Sequence, residues 1–184
     1  FMNDIDDTTI ASRSRKHLVY NAIPFLACFL TFLISLLFAN GWAVDPSTGV
    51  ISVEPFKYLH NLLAMPVITA MLLVGILAVL WGIGTGIFKG SRKSIWFSGG
   101  GAVLTVLSLL LLAGFNNTAY YPSLSDMQSS LTIYNSSSSL FTLEAMSIVS
   151  IFIPFVVAYI WYSWRAMNRK PITRQEIESD DHLY

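Results

Sequence analysis

The run "LVYNAIPFLACFLTFLISLLFA", residues 18–39, carries no charged side chain in 22 positions. At a rise of about 1.5 Å per residue, roughly 20 apolar residues make a helix that crosses the ~30 Å hydrocarbon core of a bilayer. A helix of this length on a water-soluble protein needs a charged face recurring every 3.6 residues, and this run has none. Three further blocks repeat the pattern. Residues 62–88 and 95–115 are uncharged, and residues 143–164 hold one acid, Glu144, at the front edge.

The whole chain agrees with its blocks. Of its 184 residues, 54% are hydrophobic and 12% are charged, where a soluble domain carries charge on about a quarter of its positions. Leu, Ile, Phe and Val each favour insertion by about 0.3–0.6 kcal/mol, while a central Asp, Lys or Arg opposes it by about 2.5–3.5 kcal/mol. A soluble four-helix bundle is therefore set aside. The expected fold is an all-α integral membrane protein, a four-transmembrane-helix bundle with a short cytoplasmic tail helix. Its spans are about 18–39, 62–88, 95–115 and 143–164, joined by external loops 40–61 and 116–142. Residues 1–17 are expected to form a cytoplasmic N-terminal segment, 18–166 the membrane bundle and 167–184 a cytoplasmic tail. Pro66 and Pro154 predict local kinks, since neighbouring spans can satisfy the backbone groups a proline frees. The lone Cys28 lies inside the first block, so no intrachain disulfide can form.

Charge placement sets the orientation. Arg13, Arg15 and Lys16 precede the first block; Lys89, Arg92 and Lys93 lie between the second and third; Arg165, Arg169, Lys170 and Arg174 follow the fourth. Only Lys57 falls in the first long loop, and the connection 116–142 has no Lys or Arg. Cytoplasmic loops carry the excess of basic residues, so both ends of this segment are expected in the cytoplasm. The serine run of "TIYNSSSSLFTLEAM", residues 132–146, is then expected outside. In the tail, Thr173 and Glu176 have capping-box spacing after Pro171, which predicts a surface helix of two turns.

Few side chains carry candidate chemistry. Glu144 is the acid nearest a span, and an intramembrane carboxylate is by default a candidate for proton or ion traffic. Here it follows Thr142, a good N-cap, and the capping reading in the first helical turn is favoured over the catalytic one. His60 and Asn61 sit where the second block leaves the interface; a haem ligand role for His60 lacks a second ligand in sequence, and an interfacial polar role is favoured. Ala78, Gly82, Gly86 and Gly90 form a stripe of small residues that suits close helix packing, within this chain or against another subunit. "SGGGA", residues 98–102, lacks the Gly-Lys-Ser/Thr ending of a phosphate loop. Asn116 and Asn135 begin Asn-x-Ser/Thr patterns, which are common by chance.

Several stretches carry a family resemblance. They are Tyr121-Pro122-Ser123, "SSLTI" at 129–133, "SSSSLFTL" at 136–143 leading into an apolar helix, and the ending "ITRQEIESDDHLY"; "GWAVDPSTGVISVEPFKYLHNLLAMP" and "IASRSRKHLVYNAIPF" add to them. Together they resemble subunit II of the bacterial cytochrome bd quinol oxidases, over nearly the whole chain but only about the C-terminal half of such a subunit. The resemblance implies a bacterial inner-membrane complex that oxidises quinol and reduces dioxygen to water. It implies haem b, haem d and the quinol-oxidising loop on the haem-bearing subunit I, and no cofactor on this chain. It further implies as partners subunit I, the lipid bilayer and a structural quinone, with no nucleic acid and no catalytic residue here. Half of a secondary transporter, or a structural membrane scaffold, stands as the alternative; the absence of mid-span charges weakens the transporter reading.

Overall fold

The computed structural model describes residues 8–167. In chain order the elements are α1 (Thr8–Phe38), β1 (Gly41–Val44), β2 (Ile51–Glu54), α2 (Lys57–Ala64), α3 (Pro66–Lys89), α4 (Ser94–Gly114), a single 3-10 turn (Met127–Ser129), α5 (Leu140–Ser150) and α6 (Ile153–Met167). Among the described residues, four helical stretches are long and apolar enough to cross a membrane: α1, α3, α4 and the stretch Leu140–Met167 made of α5 and α6. The fold is thus an all-α integral membrane fold with a small hairpin between the first two spans. The expected two-turn helix around Thr173–Glu176 lies outside the described residues.

The chain divides into two compact units, one of residues 16–136 and one holding the described residues 8–15 and 137–167. In the first, α3 and α4 are adjacent in sequence and pack along their length. Gly90 ends α3 in the left-handed conformation (φ 59°), its N–H donating to Thr85 O, and a turn of residues 90–93 leads into α4. Residues 16–38 of α1 belong to this unit, where Leu18 lies beside Gly86 and Phe38 is edge-on to Phe56 at 5.9 Å between ring centres.

Proline shapes both interrupted spans. The 62–88 block is not one helix: α2 ends at Ala64, Met65 departs from helical geometry (φ −119°, ψ 75°), and Pro66 starts α3 at a position where the missing N–H costs nothing. Thr69 bridges the break, its hydroxyl donating to Leu62 O and, at 3.2 Å, to Met65 O. In the second unit the fourth span is interrupted at Ile151–Phe152, just before Pro154, where bonds of Ile151 N to Ile148 O (3.1 Å) and Phe152 N to Val149 O (3.0 Å) tighten the last turn of α5. These are the 3-10 adjustments by which a membrane helix accommodates proline.

The serine run resolves into a cap one turn earlier than the sequence suggests. Ser139, with extended backbone (φ −58°, ψ 154°), is the N-cap of α5, and its Oγ accepts from Thr142 N at 3.4 Å. Thr142 is not the cap, and Glu144 stands exposed in the second turn rather than the first. The cap falls on Ser139 because it is the last residue of the run with extended geometry, so its hydroxyl meets the N–H groups the helix leaves unpaired.

Candidate functional site

The polar chemistry of the first unit collects at one end of the α3–α4 hairpin, where residues 40–65 and 115–136 knit into a single cap. Asp45 starts the β1–β2 hairpin. Its carboxylate accepts from Ser47 N (2.9 Å), Ser47 Oγ (2.7 Å) and Thr48 Oγ1 (2.9 Å), a turn-forming pattern for which Asp is suited. Those hydrogen bonds lower its pKa to about 2. Gly49 supplies the positive φ (71°) that closes the turn.

Both edges of this hairpin are covered. Along β1, Val44 N donates to Asn117 O and Ala119 N to Trp42 O, each at 2.8 Å. Along β2, the Gln128 side chain imitates a strand residue, accepting from Ile51 N at 2.9 Å and donating to Ile51 O at 2.8 Å. An open strand edge offers unpaired backbone groups to any passing chain, and here the second long loop takes them up. Periodicity does not reveal this pairing, because Gln128 and the Asn117–Ala119 stretch carry no strand pattern of their own.

Asn61 is the centre of the cap. It is fully buried, and its Nδ2 donates to Leu112 O (3.0 Å), at the end of α4, and to Thr118 Oγ1 (2.8 Å). Its Oδ1 accepts from Asn116 Nδ2 at 2.9 Å. One amide therefore joins α2, α4 and the second loop. Asn116 and Asn117 both adopt positive φ (56° and 52°), a conformation that Asn tolerates better than most residues. Asn135 is similarly occupied, accepting from Thr132 N at 2.7 Å and donating to Ser130 O at 2.9 Å.

His60, next to Asn61, points elsewhere: its Nδ1 lies 2.7 Å from Glu54 Oε1, and its side chain is half exposed. The other oxygen of Glu54 pairs with Lys57 Nζ at 3.0 Å. Lys57 is only 6% exposed, its aliphatic stem lying against Gly41, where any Cβ would come within 2.5 Å of Lys57 Cβ. The hydrogen bond from His60 is the largest influence on the Glu54 carboxyl; burial opposes it, and the bond and charge of Lys57 tip the balance further so that the pKa lies below its ordinary value. Phe56, between strand and helix, has φ 55°, a strained geometry for a bulky residue that costs of order 1–3 kcal/mol.

The second candidate feature is the α3–α4 seam. A Cβ on Gly75 would lie 2.8 Å from Thr105 N, one on Gly82 2.5 Å from Ser98 N, and one on Gly101 2.7 Å from both Gly75 O and Val79 N. Ala78 touches the same place, its Cβ 2.9 Å from that notional Gly101 atom. Gly86 is looser, with Leu18 Cδ2 at 3.1 Å and Ser94 Oγ at 3.2 Å. Hydroxyls buried in the seam bond their own helix: Thr105 to Gly101 O at 2.8 Å and Ser108 to Leu104 O at 2.7 Å. Of the sequence stripe, Ala78, Gly82 and Gly86 stand together here, whereas Gly90 ends the helix. Gly75 and Gly101 escaped the sequence reading; Gly75 lies two turns before Gly82, a spacing that puts both on one face.

Beside the hairpin runs an apolar groove of about 820 Å³, bounded mainly by Leu77, Trp81, Gly84, Phe88 and Lys89 of α3 and Phe97 of α4. Among the described residues no cluster of three or more His, Cys, Asp or Glu could hold a metal ion. Compared with known proteins, residues 1–167 match a family model described as cytochrome bd terminal oxidase subunit II. A search of curated proteins returned no match.

Proposed function

The chain belongs to the family of cytochrome bd terminal oxidase subunit II, part of an oxidoreductase complex, and on that premise we propose that it is the non-haem helical partner of the haem-bearing subunit. The observation that carries this reading is the family match over residues 1–167, on a chain with four apolar spans and a buried polar network devoted to structure. Seam and cap do the same kind of work. Gly75, Gly82 and Gly101, with Ala78 between them, let α3 and α4 approach to backbone contact, and Asn61 locks the loop-bearing ends of both helices. The product is a stiff hairpin against which another subunit can be held.

His60 does not fit an axial role toward haem. The His60 ring is tied to Glu54 and sits half exposed beside Lys57, where a macrocycle needs an apolar slot and an aligned donor. On this reading quinol oxidation and dioxygen reduction stay with the haem-bearing subunit, and the chain serves as about the C-terminal half of a complete subunit II in a bacterial inner membrane. Glu144 is then an exposed residue in the second turn of α5, beyond the first-turn positions where the helix dipole favours an acid. Orientation follows the charges: the ends of this segment and the turn 90–93 in the cytoplasm, the cap of residues 40–65 and 115–136 outside.

The test is to purify the haem-bearing subunit and the full-length parent of this chain, separately and together, and to record reduced-minus-oxidised spectra with quinol oxidase activity. Haem bands should follow the haem-bearing subunit, with activity and thermal stability recovered only in the pair. Haem bands that travel with this chain purified alone would overturn the proposal.

A further inference from the structure

We infer that the groove along the α3–α4 hairpin is a binding site for an anionic phospholipid, an acyl chain lying past Trp81, Gly84 and Phe88 with the phosphate at Lys89. The groove's volume, about 820 Å³, falls in the range of roughly 300–1,000 Å³ typical of sites for small molecules. Its walls are aliphatic and aromatic apart from Thr85 and Lys89, and the Thr85 hydroxyl is already donated to Trp81 O at 2.8 Å. An apolar chain therefore meets mostly hydrocarbon and ring surface, with the Trp81 indole as the one polar edge before the lysine.

Gly84 marks the groove as open space. Unlike Gly75, Gly82 and Gly101, it has nothing within 4 Å of a notional Cβ, so its missing side chain serves no contact with α4. The rim is bulky, with Phe88 84% exposed and Trp81 61% exposed. Another helix needs rows of small residues to come close, and on α3 those are spent on the seam. A flexible chain can thread between large rings where a rigid helix cannot.

Charge selects the headgroup. Lys89 is the last residue of α3, and Arg92 and Lys93 follow in the turn to α4. No Asp or Glu lies anywhere between Glu54 and Asp126, so the hairpin itself is basic where α3 turns into α4, with Lys89 at the groove and Lys93 in the turn beyond it. Lys side chains at helix ends reach to the headgroup level, and basic pockets between spans bind anionic headgroups. The inference needs only the membrane-spanning hairpin and stands apart from the role proposed toward the haem subunit.

The test uses the purified oxidase containing the full-length parent, reconstituted with phosphatidylglycerol or phosphatidylcholine bearing the same photoactivatable acyl chain, with cross-linked peptides mapped. Phosphatidylglycerol should label the segment 77–89 roughly tenfold more than phosphatidylcholine, the preference expected of basic residues at a charged membrane surface. Lys89→Gln with Lys93→Gln should equalise the two lipids. Gly84→Phe, which enters open space and leaves the seam intact, should remove labelling by both without changing the haem spectrum. Equal labelling in the unaltered complex, an ineffective Gly84→Phe, or a polypeptide cross-linked at this segment in place of lipid would each overturn the assignment.

Discussion

Asn61 concentrates three hydrogen bonds in one buried amide, and removing it strands groups that water does not reach. Asn61→Ala should destabilise the first unit by about 2–4 kcal/mol, the usual consequence of orphaning several buried polar partners. Thr118→Val should cost less, because the Leu112 O and Asn116 contacts survive. Thermal unfolding of the complex in detergent ranks the two; an unchanged midpoint for Asn61→Ala would show that the amide is dispensable. Seven positions earlier in sequence, Glu54 makes the cap sensitive to acid. Its folded pKa lies below the ordinary 4.5, so the unfolded cap takes up a proton first. The stabilisation is therefore complete above that value and is lost as pH falls through it toward the depressed folded one. Hydrogen exchange at the β1–β2 amides, corrected for intrinsic rates, should rise over that window; Glu54→Gln should remove the part that begins near 4.5 and leave the part below about 3.8 that belongs to Asp45, whose pKa falls to about 2. Equal acid response in both proteins would place the sensitivity elsewhere.

At the scale of the elements, the α3–α4 hairpin sorts its glycines into two classes by what each faces. Gly75→Ala, Gly82→Ala and Gly101→Ala push a methyl into opposing backbone, which cannot swing aside as a flexible side chain can. Each should cost about 1–3 kcal/mol, the range for overpacking a well-fitted interface. Gly99→Ala and Gly100→Ala enter open space and should be neutral or stabilising by up to about 1 kcal/mol, as alanine in place of helical glycine. Melting temperatures of the five variants decide it, and a set with no such division would mean the seam is not as tight as drawn. This division marks where the sequence stopped being legible. A row at four-residue spacing picked out Ala78, Gly82 and Gly86 and carried on to Gly90, yet periodicity cannot say where a helix ends or which of three consecutive glycines, 99 to 101, faces inward. Likewise Pro66 and Pro154 announced interruptions; that Pro66 would open a separate helix depended on Asn61 and Thr69 holding the ends of the break, which are contacts made at a distance.

For the whole molecule, the spans were written in composition, since transfer into hydrocarbon is a sum over local residues. The cap was not, since it is made of pairings such as Gln128 with Ile51 and Asn61 with Thr118, separated by 77 and 57 positions. Loops of this kind look alike in sequence whether they are knit together or apart. What composition does supply is a direction across the membrane. Ten of the 11 basic residues fall outside the two long loops, and the exception, Lys57, is nearly buried and paired with Glu54 in the folded cap. The basic residues nearest the spans set topology, and the imbalance here predicts a single outcome. In a Cys28→Ser background, which removes the lone native thiol, Leu124→Cys sits fully exposed on the second loop and should react with a membrane-impermeant maleimide added outside intact cells. Lys93→Cys, exposed on the α3–α4 turn, should react only after permeabilisation. The reverse labelling would turn the cap toward the cytoplasm and, because the groove's basic end lies at the opposite pole of the hairpin, would move the lipid site to the outer leaflet as well.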